Sequence, residues 1–207
     1  MRIGIIGAGN VGRALAGAFT RAGHAVTLSA RRPEHAAEVA GEVGAAAAGS
    51  PGAAAANADM VVLAVPFDSV RALAAEFGDQ FAGRVVIDAT NRFDPRALDG
   101  TSNAEAIQTL LPEARVVKAV NTLFAANMAQ AVLDGTPLDG FLAGDDADAK
   151  ARVADLLREI GFRPIDTGPL VMARALEAMA LLNIQLNMAN GWVWRTGWKL
   201  LGPTTGA

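Results

Sequence analysis

The amino-acid sequence predicts an α/β protein built on a doubly wound, mostly parallel sheet. Three observations predict it. Short apolar runs alternate with longer helical stretches along the chain. The runs Ile-Gly-Ile-Ile, Val-Val-Leu-Ala-Val and Val-Val-Ile-Asp do not alternate apolar with polar, as expected for strands covered by helices on both faces. A Gly-rich turn, Gly7-Ala8-Gly9-Asn10-Val11-Gly12, joins the first run to the first helical stretch. Repeated strand–helix units of this kind pack as a parallel sheet with right-handed crossovers.

Taken in order, Arg2–Ile6 reads as a strand and Val11–Ala22 as a helix. Ala25–Ser29 is the second strand and Pro33–Val43 the second helix, with Pro at its first position. Alanine-rich Ala45–Ala56 reads as a short strand and then a helical turn from Pro51. Met60–Val65, Val85–Asp88 and Arg115–Ala119 are the fourth, fifth and sixth strands. Helices fall between them near Asp68–Phe77 and Ser102–Leu111, the latter opened by a capping box of Ser102 and Glu105. A helix from about Ala125, a strand near Phe141, a helix Ala147–Ile160 and a strand Arg163–Asp166 follow. A long apolar helix from about Leu170 to Asn190 comes next, with a Trp-rich tail. The expected organisation is a Rossmann-type nucleotide-binding domain over residues 1–135. A small C-terminal α/β lobe, 136–207, packs on it and carries the acceptor cleft and a dimer contact.

Composition narrows the function. Of the 207 residues 52% are hydrophobic and 19% charged, enough apolar material for a large core. A net charge of -3 provides no basic field for nucleic acid or acidic membranes. There is no Cys, which excludes disulfides and thiol catalysis and suits a reducing cytoplasm. Met1–Ile6 lacks the features of a signal peptide, and no apolar run approaches the ~20 residues of a membrane span. His24 and His35 lack metal-ligand company, so no metal site is expected.

The Gly-rich turn carries the cofactor expectation. Gly7 permits a tight turn, Gly9 close approach of a pyrophosphate, and Gly12 close packing of helix on strand. The helix start, with Asn10 and Val11, directs its N–H groups at the phosphates. The second strand of such a fold usually ends in an acid that grips a ribose hydroxyl. Here it ends in Ser29-Ala30-Arg31-Arg32. An acid would repel a 2′-phosphate, whereas guanidinium groups bind one, and the Ser29 hydroxyl adds a donor. Arg31 and Arg32 also precede Pro33 at a helix N-terminus, where cations oppose the helix dipole and a bound anion relieves the conflict. NADP(H) is therefore the expected cofactor. Two solvated surface arginines are the alternative.

Three further turns close strands at the carboxyl edge, where ligands of such sheets bind. Ala64-Val65-Pro66 ends the fourth strand. Asp88-Ala89-Thr90-Asn91-Arg92-Phe93-Asp94 ends the fifth, and Lys118-Ala119-Val120-Asn121-Thr122-Leu123-Phe124 the sixth. Asn91, Asn121 and Thr122 are candidates to orient an amide or carbonyl of the acceptor, and Asn91 and Asn121 also to touch the cofactor. Each could equally cap a helix or a turn. Lys118 is a conceivable proton donor, though a Lys at a strand end is usually solvated. With no Tyr in the chain, Tyr–Lys proton relays are excluded.

The chain resembles the deazaflavin-dependent NADP reductases (NADPH:8-hydroxy-5-deazaflavin oxidoreductases) over nearly its whole length. The resemblance rests on residues 1–34, with Ser29-Ala30-Arg31-Arg32 near their end, and on 143–187. The latter holds a Gly-Asp-Asp turn, the segment Arg163-Pro-Ile-Asp-Thr-Gly-Pro-Leu170, and an Arg-x-x-Glu helix start at Arg174–Glu177. It implies direct hydride transfer between nicotinamide and a deazaflavin, a cleft between two lobes, and a homodimer. After the fifth strand such reductases often carry a Pro-rich segment, where this chain has Ala89-Thr90-Asn91-Arg92. After the sixth they often carry His-Thr-Ile-Pro, where this chain has Asn121-Thr122-Leu123-Phe124. Those two segments are similar to the NADPH-binding domains of metalloreductases.

Three functions follow. The first is a reductase passing hydride from NADPH to a deazaflavin- or flavin-like co-substrate. The second is an NADPH-dependent reductase of a small carbonyl or imine, and the third a non-catalytic NADPH-binding sensor. The last helix carries Leu176, Met179, Leu181, Leu182, Ile184, Leu186 and Met188 around most of its circumference, so it is expected to be buried against a symmetric partner. Asn183, Gln185, Asn187 and Asn190 would then find amide partners across the two-fold, with Trp192, Trp194 and Trp198 near the interface or the acceptor cleft.

Overall fold

A computed structural model describes residues 1–93 and 100–202 of the chain. Asp94, the end of the turn after the fifth strand, lies outside the described residues. The first half alternates β1 (Arg2–Ile6), α1 (Asn10–Arg21), β2 (Ala25–Ser29), α2 (Pro33–Val43), β3 (Ala46–Ala47), α3 (Pro51–Ala56), β4 (Met60–Leu63) and α4 (Asp68–Phe77). Then come β5 (Val85–Asp88), α5 (Asn103–Leu110), β6 (Arg115–Ala119) and α6 (Ala125–Ala129). A hairpin of β7 (Val132–Leu133) and β8 (Thr136–Pro137) precedes β9 (Asp139–Gly144), α7 (Ala147–Glu159), β10 (Arg163–Asp166) and α8 (Ala173–Asn190).

The main sheet runs β10-β9-β6-β5-β4-β1-β2-β3. From β3 to β6 the neighbours are parallel. β9 joins β6 antiparallel, and β10 lies parallel to β9. The distal strands therefore extend the same sheet. β4 shows why its sequence does not alternate apolar with polar. Met60 and Val62 belong to the apolar cluster on one face with Leu15, Phe19 and Val39, while Val61 and Leu63 join the cluster on the other with Val70 and Ile107. Period-2 side chains of a strand buried on both faces must all be apolar.

Local chemistry sets the element ends. Ser50 accepts from the Ala53 N–H to start α3. Ser102 and Glu105 form the capping box of α5, and Asp146 caps α7 through the Ala149 N–H. Asp134 and Gly135, at φ 49° and 75°, turn the β7–β8 hairpin. That Asp-Gly dipeptide is the signal in the sequence for a hairpin that the reading above does not include.

Within its own subunit α8 is buried on one side only. Leu176, Glu177, Ala180, Leu181, Asn183 and Asn187 are buried, while Leu182, Leu186 and Met188 are exposed. Asn183, Asn187 and Asn190 find partners in their own chain, Asn190 on Leu186 O, and Gln185 is exposed. Asn187 Nδ2 donates to Thr196 Oγ1 at 2.6 Å, and Thr196 Oγ1 donates to Asn183 Oδ1 at 2.6 Å. Asn127 of α6 adds bonds to the carbonyls of Arg195 and Thr196. The tail beyond Gly191 thus folds back over α6 and α8, and Trp198 packs against Phe141 and Leu176. Among the described residues no helix is long and apolar enough to cross a membrane.

Candidate functional site

The Gly-rich turn is built around three different demands. Gly7 sits at φ 115° and donates its N–H to Ser29 O at 2.9 Å, and a Cβ there would lie 2.2 Å from Ala64 O. A Cβ on Gly12 would lie 1.8 Å from Gly7 O, so α1 packs on the turn only with Gly there. At Gly9 a Cβ would meet nothing within 4 Å. A side chain at Gly9 would therefore point into open space, and the residue is the N-cap of α1, just before Asn10 and the half-buried Val11.

Beside the turn lies a cleft of about 410 Å³. Gly7, Arg31, Ser50, Val65, Ser69 and Phe77 are among its lining residues. The structure thus brings together three expected residues, Gly7, Arg31 and Val65, with Ser50, Ser69 and Phe77, which the sequence reading did not single out. Arg32 is the N-cap residue of α2, and Pro66 is exposed beyond β4. Both arginines are exposed, and neither guanidinium has a hydrogen-bond or ion-pair partner among the described residues. Ser29 is fully buried and its hydroxyl is unpartnered, so it can bond only a group that reaches into the end of β2.

The second half of the site lies at the ends of β5 and β6. Asp88 and Lys118 are register partners on these strands. Lys118 is not solvated: it is fully buried and its three donors are all used. It donates to Asp88 Oδ2 at 2.8 Å, to Thr90 O at 2.6 Å and to Glu177 Oε1 at 2.8 Å. This set makes it a structural cation and excludes it as a free proton donor. Glu177 Oε1 also accepts the Asn103 N–H, Asn103 Nδ2 donates to Thr90 Oγ1, and Asp88 Oδ1 accepts the Thr90 N–H. Burial pushes the Glu177 carboxyl above its usual range; Lys118 opposes the shift and Asp88 adds to it. The Arg-x-x-Glu start of α8 acquires a structural meaning, because Arg174 forks onto Glu105 while Glu177 reaches Lys118. The signal for Lys118 was a charged pair ending two adjacent apolar runs.

After β6 the backbone turns through Val120 at φ 58°, a sparsely populated conformation for a β-branched residue. Asn121 and Thr122 follow, both buried. Asn91 Nδ2 donates to Asn121 O, and Asn121 Nδ2 donates to Asn91 Oδ1 and to Leu176 O. Asn121 Oδ1 and Thr122 Oγ1 remain buried and without partners among the described residues. Such groups cost about 1–3 kcal/mol each unless something satisfies them. Phe124, at the start of α6, meets the ring of Trp194 edge-on at 5.4 Å.

These features fit a phosphorylated dinucleotide. The open Gly9, the unpartnered Arg31 and Arg32 and the orphaned polar atoms at Asn121 and Thr122 follow the carboxyl ends of β1, β2 and β6, strands of the parallel part of the sheet. The open turn at Gly9 would hold the pyrophosphate and the arginines a 2′-phosphate. When bound, NADPH supplies the hydride.

Comparison with known proteins gives consistent findings. Residues 2–92 match the family model described as NADP oxidoreductase, coenzyme F420-dependent. The F420-dependent NADP reductase of Methanothermobacter thermautotrophicus is 34% identical, covering 92% of this chain and 90% of that protein. A crystal structure described as an F420-dependent NADP reductase from an Arthrobacter species superposes with a TM-score of 0.87 at 31% identity, covering 97% of this chain and 99% of that one. Rat metalloreductase STEAP3 is 30% identical over 87% of this chain, which spans only 36% of that protein's length.

Proposed function

This chain belongs to the family of F420-dependent NADP reductases, and from that premise we propose that it moves a hydride between NADP(H) and a planar deazaflavin- or flavin-like acceptor. It is an NADP-dependent oxidoreductase. The observation that carries the acceptor reading is the scarcity of proton-transfer chemistry at the carboxyl edge. Lys118 has no donor to spare, and at the ends of β5 and β6 the buried polar groups without a partner among the described residues are the Asn121 amide oxygen and the Thr122 hydroxyl. Hydride transfer between two stacked ring systems needs orientation rather than an acid at the reacting carbon. In this reading residues 1–135 hold the cofactor, and 136–207 close the acceptor side and carry the surface of a homodimer. A cytoplasmic setting agrees with the absence of Cys.

The test is spectroscopic. The purified protein is mixed with NADPH and an 8-hydroxy-5-deazaflavin, and the acceptor's absorbance is followed. Bleaching that requires both protein and NADPH supports the proposal. NADPH oxidation only with carbonyls or imines would replace it with the small-substrate reductase. Tight NADPH binding with no turnover would favour the sensing module.

A further inference from the structure

We propose that Asn91 is a positioning residue that locks the side chain of Asn121, so that Asn121 Oδ1 accepts a hydrogen bond from the carboxamide NH2 of the nicotinamide. The inference rests on the NADP(H) reading above and adds a residue-level basis for recognition of the nicotinamide end.

The orientation of the Asn121 amide follows from its neighbours. Leu176 O, 3.0 Å away, is a backbone carbonyl and can only accept, so the atom facing it is Nδ2. The same logic fixes Asn91. Its Nδ2 faces the backbone carbonyl of Asn121 at 2.9 Å, which turns its Oδ1 toward Asn121 Nδ2, also at 2.9 Å. Both N–H donors of Asn121 are thereby used. Its Oδ1 is left as a buried acceptor with no partner among the described residues. The next residue, Thr122, carries the second orphan, a hydroxyl able to donate. A primary carboxamide offers the matching pair, an N–H and a C=O. Both orphans stand directly after β6, at the sheet edge where the cofactor of such folds lies.

Asn91 is itself held. Lys118 Nζ grips Thr90 O at 2.6 Å, Asp88 Oδ1 takes the Thr90 N–H at 2.8 Å, and Asn103 Nδ2 reaches Thr90 Oγ1 at 3.0 Å. Three bonds to the preceding residue fix the path of the chain into Asn91. On the other side Asn121 is tied to Leu176, whose neighbour Glu177 closes on Lys118. One buried cation therefore ties together both segments that orient the amide.

The test measures binding, so it does not depend on the acceptor. Dissociation constants are measured by calorimetry for NADP+ and for its 3-acetylpyridine analogue, which replaces the carboxamide NH2 by CH3 and keeps the carbonyl. The wild type should bind NADP+ about 2–10-fold more tightly, the range expected for one neutral hydrogen bond. Asn91→Ala should bring that ratio to about one, as should Asn121→Ala. Arg31→Ala should weaken both dinucleotides alike and leave the ratio unchanged. Equal binding of the two dinucleotides by the wild type overturns the inference without any variant. An Asn91→Ala protein that binds both more weakly at an unchanged ratio overturns the positioning role. Failure of the wild type to bind NADP+ at all is a different result, and it removes the NADP(H) reading itself together with this inference.

Discussion

Lys118 Nζ lies 2.8 Å from Glu177 Oε1 with the lysine wholly buried, so β6 and α8 meet through one charge pair inside the protein. Asp88 makes the pair a trio with more negative than positive charge. Removing the cation should be severe. Lys118→Met leaves two buried carboxylates facing each other, and we expect a loss of about 3–5 kcal/mol. Glu177→Gln keeps an acceptor for Lys118 and Asn103 and leaves Lys118 balanced by Asp88, so it should cost far less. The sign of its pH dependence follows from the raised carboxyl of Glu177. Stability from such a group is present below the usual carboxylate range and is lost as pH rises through the folded-state value. Glu177→Gln should therefore gain on the wild type as pH rises. Urea midpoints across pH measure both, and a Glu177→Gln loss as large as that of Lys118→Met would refute this account.

Glu105 gives the opposite slope. Arg174 donates to both its oxygens, and with Ser102 holds its carboxyl at about 2, below the ordinary 4.5. A depressed folded-state value contributes stability above the unfolded value and loses it as pH falls. The loss should run from about 4.5 toward 2. Asp59, paired with Arg2 and also held at about 2, adds to the same acid limb. Glu105→Gln should flatten part of that limb while lowering stability near neutrality. A variant whose urea midpoint falls with acid as steeply as the wild type's would show that this fork contributes nothing.

Arg31 and Arg32 should decide between the two nicotinamide cofactors. Each hydrogen bond to a charged group is worth ~1.5–3 kcal/mol, so losing one contact should weaken NADPH by ~10–100-fold. Arg31→Ala and Arg32→Ala should leave NADH little changed. Equal wild-type affinity for NADPH and NADH, measured by fluorescence titration, would remove the 2′-phosphate role.

Gly9→Val separates folding from binding. A side chain at Gly9 has open space, so the thermal midpoint should hold. The same side chain would fill the room of the pyrophosphate, so NADPH binding should vanish. Retained binding would place the crevice elsewhere.

How much of this was legible in the sequence differs by element. The β1–α1–β2 unit was readable because apolar runs, glycines and Pro33 each carry a local signal. The capping box at Ser102 was readable for the same reason. Lys118 was misread as solvated because its partners are far along the chain: Asp88 sits on a neighbouring strand and Glu177 fifty-nine residues on. No periodicity reports such a pairing. Asn183 and Asn187 of α8 were misassigned to a partner subunit because Thr196, their real partner, lies in a tail with no regular pattern. The open space at Gly9 and the orphaned Asn121 Oδ1 are properties of packing, visible only once the strands are registered.

The outward side of α8 carries the last prediction. Leu182 is 51% exposed, Met188 62% and Leu186 37%, while Leu176, Ala180 and Leu181 face the subunit's own core. The tail adds Val193 and Leu201, 79% and 85% exposed. Apolar groups gathered on one helix and the strand of chain after it suit a surface that a second copy covers. Because Leu182 points away from the core, Leu182→Arg should leave the subunit folded and give a monomer where the wild type gives a dimer. Light scattering at micromolar concentration decides it, and a wild-type monomer would refute the dimer. Cutting the chain at Gly191 is a poor test of the aromatic tail, since it also strips Thr196 from Asn183 and Asn187 and leaves buried amides unsatisfied. Trp194→Ala is cleaner. Trp194 is 45% exposed and touches Phe124, three residues beyond Asn121. If its ring closes the acceptor side, the variant should raise the acceptor KM several-fold while NADPH binding and dimerisation stay as in the wild type. An unchanged acceptor KM would confine Trp194 to packing on Phe124.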